Sequence, residues 1–179
     1  VLLFSGLFLM YTAGRLEHPE GFREGSGELY QWIGITNTAV LLLSSLAMAR
    51  AVRAAHAGSR RGALVGLGVT FALGAAFLGL KALEYGLDVR AGMLPGFAFE
   101  AGDLEHPEGV EVFLSLYLVM TGTHAAHMTA GLAVVAASFG LIRAGRLRPG
   151  PSSAVESVGL YWHFVDVIGV ILLPLLYLI

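Results

Sequence analysis

Five apolar runs, each bounded by charges or by Pro and Gly clusters, decide what this sequence can fold into. They cover about residues 1–15, 29–51, 63–87, 112–142 and 158–179. A helix needs about 20 residues to cross a hydrocarbon core about 30 Å thick, and the last four runs reach that length. The first is shorter and opens on Val1 in the middle of an apolar run. It reads as the remainder of a longer segment, not as a signal peptide, because no basic leader or cleavage site precedes it. Composition agrees with the runs. Hydrophobic residues make up 56% of the 179 positions and charged residues 13%, with a mean hydropathy of +0.73. That is too little charge to cover a soluble domain of this size. The expected fold is all-α, a single membrane domain over residues 1–179 built from five transmembrane helices. Cysteine is absent, which removes disulfides, thiolate metal sites and cysteine nucleophiles.

Charge orients such a bundle. Arg50, Arg53, Arg60 and Arg61 follow the second run, and Arg143, Arg146 and Arg148 follow the fourth. Those seven of the eleven basic residues share one side with a single acid, Glu156. The other side has ten acids, among them Glu17, Glu20, Glu24, Glu28, Asp103, Glu105 and Glu108, against Arg15, Arg23 and Arg90. Basic loops stay in the cytoplasm, so the N-terminus is expected inside and Ile179 outside. Only Lys81, Glu84 and Asp166 remain as charges within the spans.

Small residues recur along the third and fourth runs, at Gly62 and Gly66 and at Gly122, Ala126 and Ala130. They allow close helix approach in lipid, either within this chain or against another subunit. The hexapeptide LEHPEG occurs at residues 16–21 and 104–109 with unlike flanks, so no internal duplication is inferred. His18 and His106 with their glutamates are candidate metal ligands. A turn or helix start built on Pro19 and Pro107 accounts for the repeat more simply.

Chemistry concentrates in the last two runs. His124 and His127 are three residues apart and share a helix face, as do His163 and Asp166. Measured from the outer end of the fourth run, His124 and His127 lie about 18 and 22 Å deep. Measured from the inner end of the fifth, His163 and Asp166 lie about 7 and 12 Å up. In a core about 30 Å thick, the four side chains reach similar levels. Two readings are open: a metal or haem site, or an interhelical hydrogen-bond network in which Asp166 accepts from a histidine. Lys81 and Glu84, also three apart, read as a snorkelling pair at the outer interface.

Glu84-Tyr85, the run Thr121-Gly122-Thr123-His124-Ala125-Ala126-His127 and the run Tyr161-Trp162-His163-Phe164-Val165-Asp166-Val167 resemble the subunit III family of haem-copper oxidases. Asn37-Thr38 followed by Leu41-Leu42-Leu43-Ser44-Ser45 is similar to an element on that family's preceding helix. The resemblance covers nearly the whole chain. It implies a non-catalytic, lipid-binding subunit in a bacterial-type cytoplasmic membrane, with no cofactor of its own and no nucleic-acid partner. Haem and copper would lie on subunits I and II. This subunit would pack beside subunit I, near its proton-uptake path, and hold phospholipid in a cleft. His124, His127, His163 and Asp166 then become an interhelical polar network, and Glu84, Tyr85 and Lys81 a second polar contact. Arg143 becomes a candidate lipid-headgroup contact. The family's full form has seven helices, its Trp is replaced here by Gly169, and its intramembrane glutamate falls just before Val1. A subunit III homologue associated with nitric oxide reductase and a stand-alone His/Asp membrane metalloprotein are the alternatives.

Overall fold

Six α-helices account for most of the chain: α1 (Leu2–Glu17), α2 (Pro19–Glu28), α3 (Gln31–His56), α4 (Arg60–Arg90), α5 (Pro107–Arg143) and α6 (Ala154–Tyr177). The computed structural model describes residues 2–95, 98–99, 104–148, 150 and 154–179, so Val1 and Asp103 lie outside the described residues. Between α4 and α5, β1 (Met93–Leu94) pairs antiparallel with β2 (Ala98–Phe99). Among the described residues four helices, α3 to α6, are long and apolar enough to cross a membrane. At 16 residues α1 is shorter, and the polar, glycine-rich α2 adds a helix between the first two apolar runs.

Local signals set the ends of these helices. α3 stops where Gly58 takes a φ of 70°, a conformation that costs glycine least. Ser59 then caps α4 by accepting the amide of Gly62. α5 ends in the same way before Gly145, whose φ is 72°. Its last carbonyls are satisfied from another helix, because the Arg60 guanidinium donates to Ile142 O at 3.1 Å and to Arg143 O at 2.6 Å. A cation at a helix C-terminus also meets the negative end of the macrodipole.

The repeated hexapeptide starts two helices. His18 and His106 are the N-cap residues of α2 and α5, with φ, ψ of −129°, 58° and −128°, 61°, and each helix has proline in its first turn. The starts lie against each other. A Cβ added at Gly21 would come within 2.5 Å of Gly109 Cα, so glycine is what allows the backbones to touch. Glu24 clamps the pair by accepting from the amides of Glu105 and His106 at 2.9 and 3.0 Å.

α3 and α4 share the most extensive helix contact, α6 lies against α3, and α5 packs on α4, α2, α6 and α1. The interior divides into two apolar clusters. One, toward the arginine-rich end, includes Met48, Leu67, Met128, Val135 and Trp162. The other, toward the acidic end, includes Tyr11, Phe22, Phe113, Met120 and Leu176. Large apolar side chains such as Trp32, Leu42, Leu43, Val65, Leu83, Leu160 and Val167 remain exposed on the outside. A surface of that kind is suited to lipid and not to water. Gly66 sets the α3–α4 distance, since an added Cβ would meet Ala51 Cβ at 2.6 Å and Ala51 Cα at 2.7 Å. Backbone cannot yield as a flexible side chain does. Gly66→Val is therefore expected to cost about 1–3 kcal/mol by overpacking, and a melting temperature equal to that of the parent would refute this.

Candidate functional site

Lys81 and Glu84 were expected to snorkel at the interface. They do not: Glu84 is 0% exposed and Lys81 7%. The reason lies on other helices. Tyr117 of α5 and Tyr177 of α6 reach over the α4 surface and cover the pair. The Lys81 ammonium donates to Glu84 Oε2 at 2.8 Å and to the Tyr177 hydroxyl at 2.7 Å. Tyr177 donates in turn to Glu84 Oε1 at 2.5 Å, and Tyr117 approaches the same oxygen at 3.1 Å and Asp88 Oδ2 at 3.4 Å. Three aromatic rings surround the ammonium, those of Tyr117, Tyr177 and Tyr85, with centroids 5.2, 5.3 and 5.8 Å away. Tyr85, paired with Glu84 in the sequence reading, closes the far side. Thr121 spends its only proton on the Tyr117 carbonyl at 2.6 Å, so the Tyr85 phenol is the donor in its 2.6 Å bond to Thr121.

This is a buried ion pair whose carboxylate accepts from one ammonium and two phenols. A charge out of water is tolerable only when its hydrogen-bonding capacity is used in this way. Tyr117, Tyr177 and Asp88 belong to the centre and were not singled out from sequence, and Thr121 was noted only as part of the run at residues 121–127. The signal available was Tyr117 and Thr121 at i and i+4 on one face of α5, with Tyr177 close to the chain's end.

The four residues expected to form a network on α5 and α6 do not join one another. No hydrogen bond links any two of them among the described residues. His163 Nδ1 pairs with Ser45 of α3 at 2.7 Å. Asp166 is buried beside the same serine, yet neither of its oxygens has a hydrogen-bond partner of ordinary geometry. His127 Nδ1 donates to its own helix, at Thr123 O and 2.8 Å, and its ring meets Phe4 of α1 with centroids 5.4 Å apart. The His124 ring stands edge-on to Phe77 of α4, with both nitrogens unpartnered. The physical reason is azimuth. Depth along a helix places side chains at one level but does not say which neighbour they face, and α6 turns His163 and Asp166 toward α3. The polar bond that does join α5 to α6 runs from the Tyr161 hydroxyl to the His127 backbone carbonyl at 3.1 Å.

Ser44 and Ser45 thus carry roles that the sequence reading gave to histidines. Ser45 receives His163, and Ser44 accepts the Trp162 indole N–H at 3.1 Å. Ser45→Ala should lower stability by about 1 kcal/mol by orphaning a half-buried imidazole nitrogen. Asp166→Ala, which breaks no bond to a histidine, should leave the α5–α6 contact in place. Thermal melts of the two variants check both outcomes, and a Ser45→Ala melt indistinguishable from the parent would contradict the first.

No group of three or more His, Asp or Glu is placed to share a metal ion among the described residues. Haem does not fit either, because the space beside His124 measures about 30 Å³. His18 and His106 line an open cleft of about 430 Å³ between the two hexapeptides, together with Glu17, Glu20, Glu105 and Glu108. Arg143 is exposed at the basic end of α5.

With this geometry in hand, the similarities to known proteins are specific. A model of the family described as cytochrome c oxidase subunit III matches residues 29–179. The chain is 29% identical over 177 residues to the cytochrome bo(3) ubiquinol oxidase subunit 3 of Pseudomonas aeruginosa, covering 99% of this chain and 78% of that protein. It is 32% identical over 183 residues to the cytochrome c oxidase subunit 3 of Thermostichus vulcanus, with coverages of 99% and 81%. Against the probable cytochrome c oxidase subunit 3 of Mycobacterium tuberculosis the identity is 30% over 182 residues, with coverages of 100% and 82%.

Proposed function

The chain belongs to the cytochrome c oxidase subunit III family, and we propose that within a haem-copper oxidase it serves as a non-catalytic, lipid-binding support for the catalytic subunit. Membership makes it one subunit of a multi-subunit oxidase and a multi-pass membrane protein. The further reading assigns haem and copper to subunits I and II, with subunit I in direct contact. Oxygen reduction then occurs on those partners, and this subunit sustains proton uptake by holding subunit I and its surrounding phospholipid in place. In this reading α1 is part of a fifth crossing of a bacterial-type cytoplasmic membrane. The N-terminus lies inside, Ile179 lies outside, and Arg143 meets lipid headgroups on the inner side.

The observation that carries this reading is the Lys81–Glu84–tyrosine centre. Its charges are spent on one another across α4, α5 and α6, as suits a group that holds helices together. His163 and His127 are likewise engaged, by Ser45 and by Thr123 O, and we assign the histidines and Asp166 a structural role.

Purification of the tagged chain from its native membrane tests the proposal. The expected result is a co-purifying many-helix subunit that carries the haem signal, together with retained phospholipid. A partner complex that reduces nitric oxide in place of oxygen would move the chain to the reductase-associated alternative. Stoichiometric metal on the isolated chain would overturn the proposal in favour of a stand-alone metalloprotein.

A further inference from the structure

Between the two apolar clusters lies a narrow, partly open cavity of about 30 Å³ to which all four long helices contribute, with Asn37 from α3, Lys81 from α4, Thr121 and His124 from α5 and Gly169 from α6 in its lining. Asn37 and His124 are each 2% exposed. Neither amide atom of Asn37 and neither ring nitrogen of His124 has a hydrogen-bond partner among the described residues. Buried polar atoms are seldom left in that condition, and where they line a space large enough, water satisfies them.

The donor set defines the occupant. Asn37 presents an acceptor oxygen and a donor amide, and a neutral imidazole presents one of each. The occupant must therefore both give and receive hydrogen bonds. Lys81 on the wall repels a metal cation. Its charge is already matched by Glu84 at 2.8 Å, and a halide could not donate to the Asn37 oxygen. Size allows this occupant, since a cavity of about 10–15 Å³ is enough to hold one water. Lys81 has three N–H donors and uses two of them on Glu84 and Tyr177, so one remains for an acceptor in the cavity. Gly169 keeps the space open, because an added Cβ there would fall 2.6 Å from Leu41 Cδ1 and 3.0 Å from His124 Nε2.

We propose that this cavity is an internal hydration site, holding one water that bridges Asn37 and His124 and accepts from Lys81. The water connects two sets of polar groups that are otherwise separate. The charged centre, running from Asp88 through Tyr117 and Glu84 to Lys81, extends through it to Asn37 and His124. Polar groups of α3, α4, α5 and α6 then form one hydrogen-bonded unit.

A density map of the intact purified complex, at a resolution that shows ordered water, tests this directly. The expected result is a peak at hydrogen-bond distance from Asn37 and from a nitrogen of His124, unchanged in chloride-free buffer. A direct Asn37–His124 bond, a cavity without density, or a peak lost on removing chloride would each overturn it. A double-mutant cycle gives an independent reading. Asn37→Leu and His124→Phe should each lower the melting temperature, because each removes partners from the shared water. The double variant, with a dry site, should fall by less than the sum. Strict additivity, or stabilisation by either single change, would refute a shared water.

Discussion

Glu84→Ala is expected to destabilise the bundle by about 3–5 kcal/mol, the range for removing one partner of a buried ion pair. The loss arises less from the missing bond than from what remains. The Lys81 ammonium would keep one phenol oxygen and three ring faces as its partners, but no hydrogen-bonded countercharge. Tyr117 and Tyr177 would both lose the Glu84 oxygen they donate to. Lys81→Met should cost less, since the carboxylate would keep both phenols as donors. Combining Lys81→Met with Glu84→Leu should recover part of the loss, because an apolar pair of similar volume no longer carries a desolvation penalty. Denaturation midpoints of the three variants in detergent test this order. A Glu84→Ala protein as stable as the parent would show that the centre contributes nothing.

Trp162→Ala should be comparably damaging, at about 3–5 kcal/mol. The indole is fully buried and lies where three helices come together. A Cβ added at Gly74 of α4 would fall 2.8 Å from the ring, and one added at Gly131 of α5 would fall 3.2 Å from it. The glycines on two sides offer no side chain to fill the hole, so much of the cavity should persist. The Ser44 hydroxyl loses its donor as well. Trp162→Phe should cost clearly less, because it keeps most of the volume and gives up the 3.1 Å indole bond. An alanine variant that melts with the phenylalanine variant would show that the packing argument fails.

The four long apolar helices were legible because hydropathy integrates over about 20 residues and needs no knowledge of neighbours. Charge clusters and glycines marked the ends of α3 and α5 for similar reasons. Pro19 and Pro107 were legible as helix starts, since proline belongs in a first helical turn. The burial of Lys81 and Glu84 was not legible. An i, i+3 pair near a helix end has the same spacing whether it snorkels or is covered, and the cover comes from Tyr117 and Tyr177, distant in sequence. The histidine network failed for a related reason. Levels along α5 and α6 were calculable from the rise per residue, but the turn of His163 toward Ser45 depends on α3, which carries no ionisable group at that level. Serines inside an apolar run are quiet signals. Ser44 and Ser45 were noticed for their resemblance to a family element and not for the bonds they make.

Those two serines have one more consequence. They are consecutive on α3, and they meet Trp162 and His163, consecutive on α6. Apolar helices in lipid have little to stop one sliding along the other, because one leucine contact replaces another at almost no cost. Two adjacent notches engaging two adjacent teeth remove that freedom. Displacing α6 by a single residue, about 1.5 Å of travel and about 100° of turn, would offer Ser44 an imidazole where it holds an indole and leave the second bond unmade. The pairs therefore act as a vernier that fixes the relative height of the two helices, and with it the level at which Tyr177 arrives over Lys81.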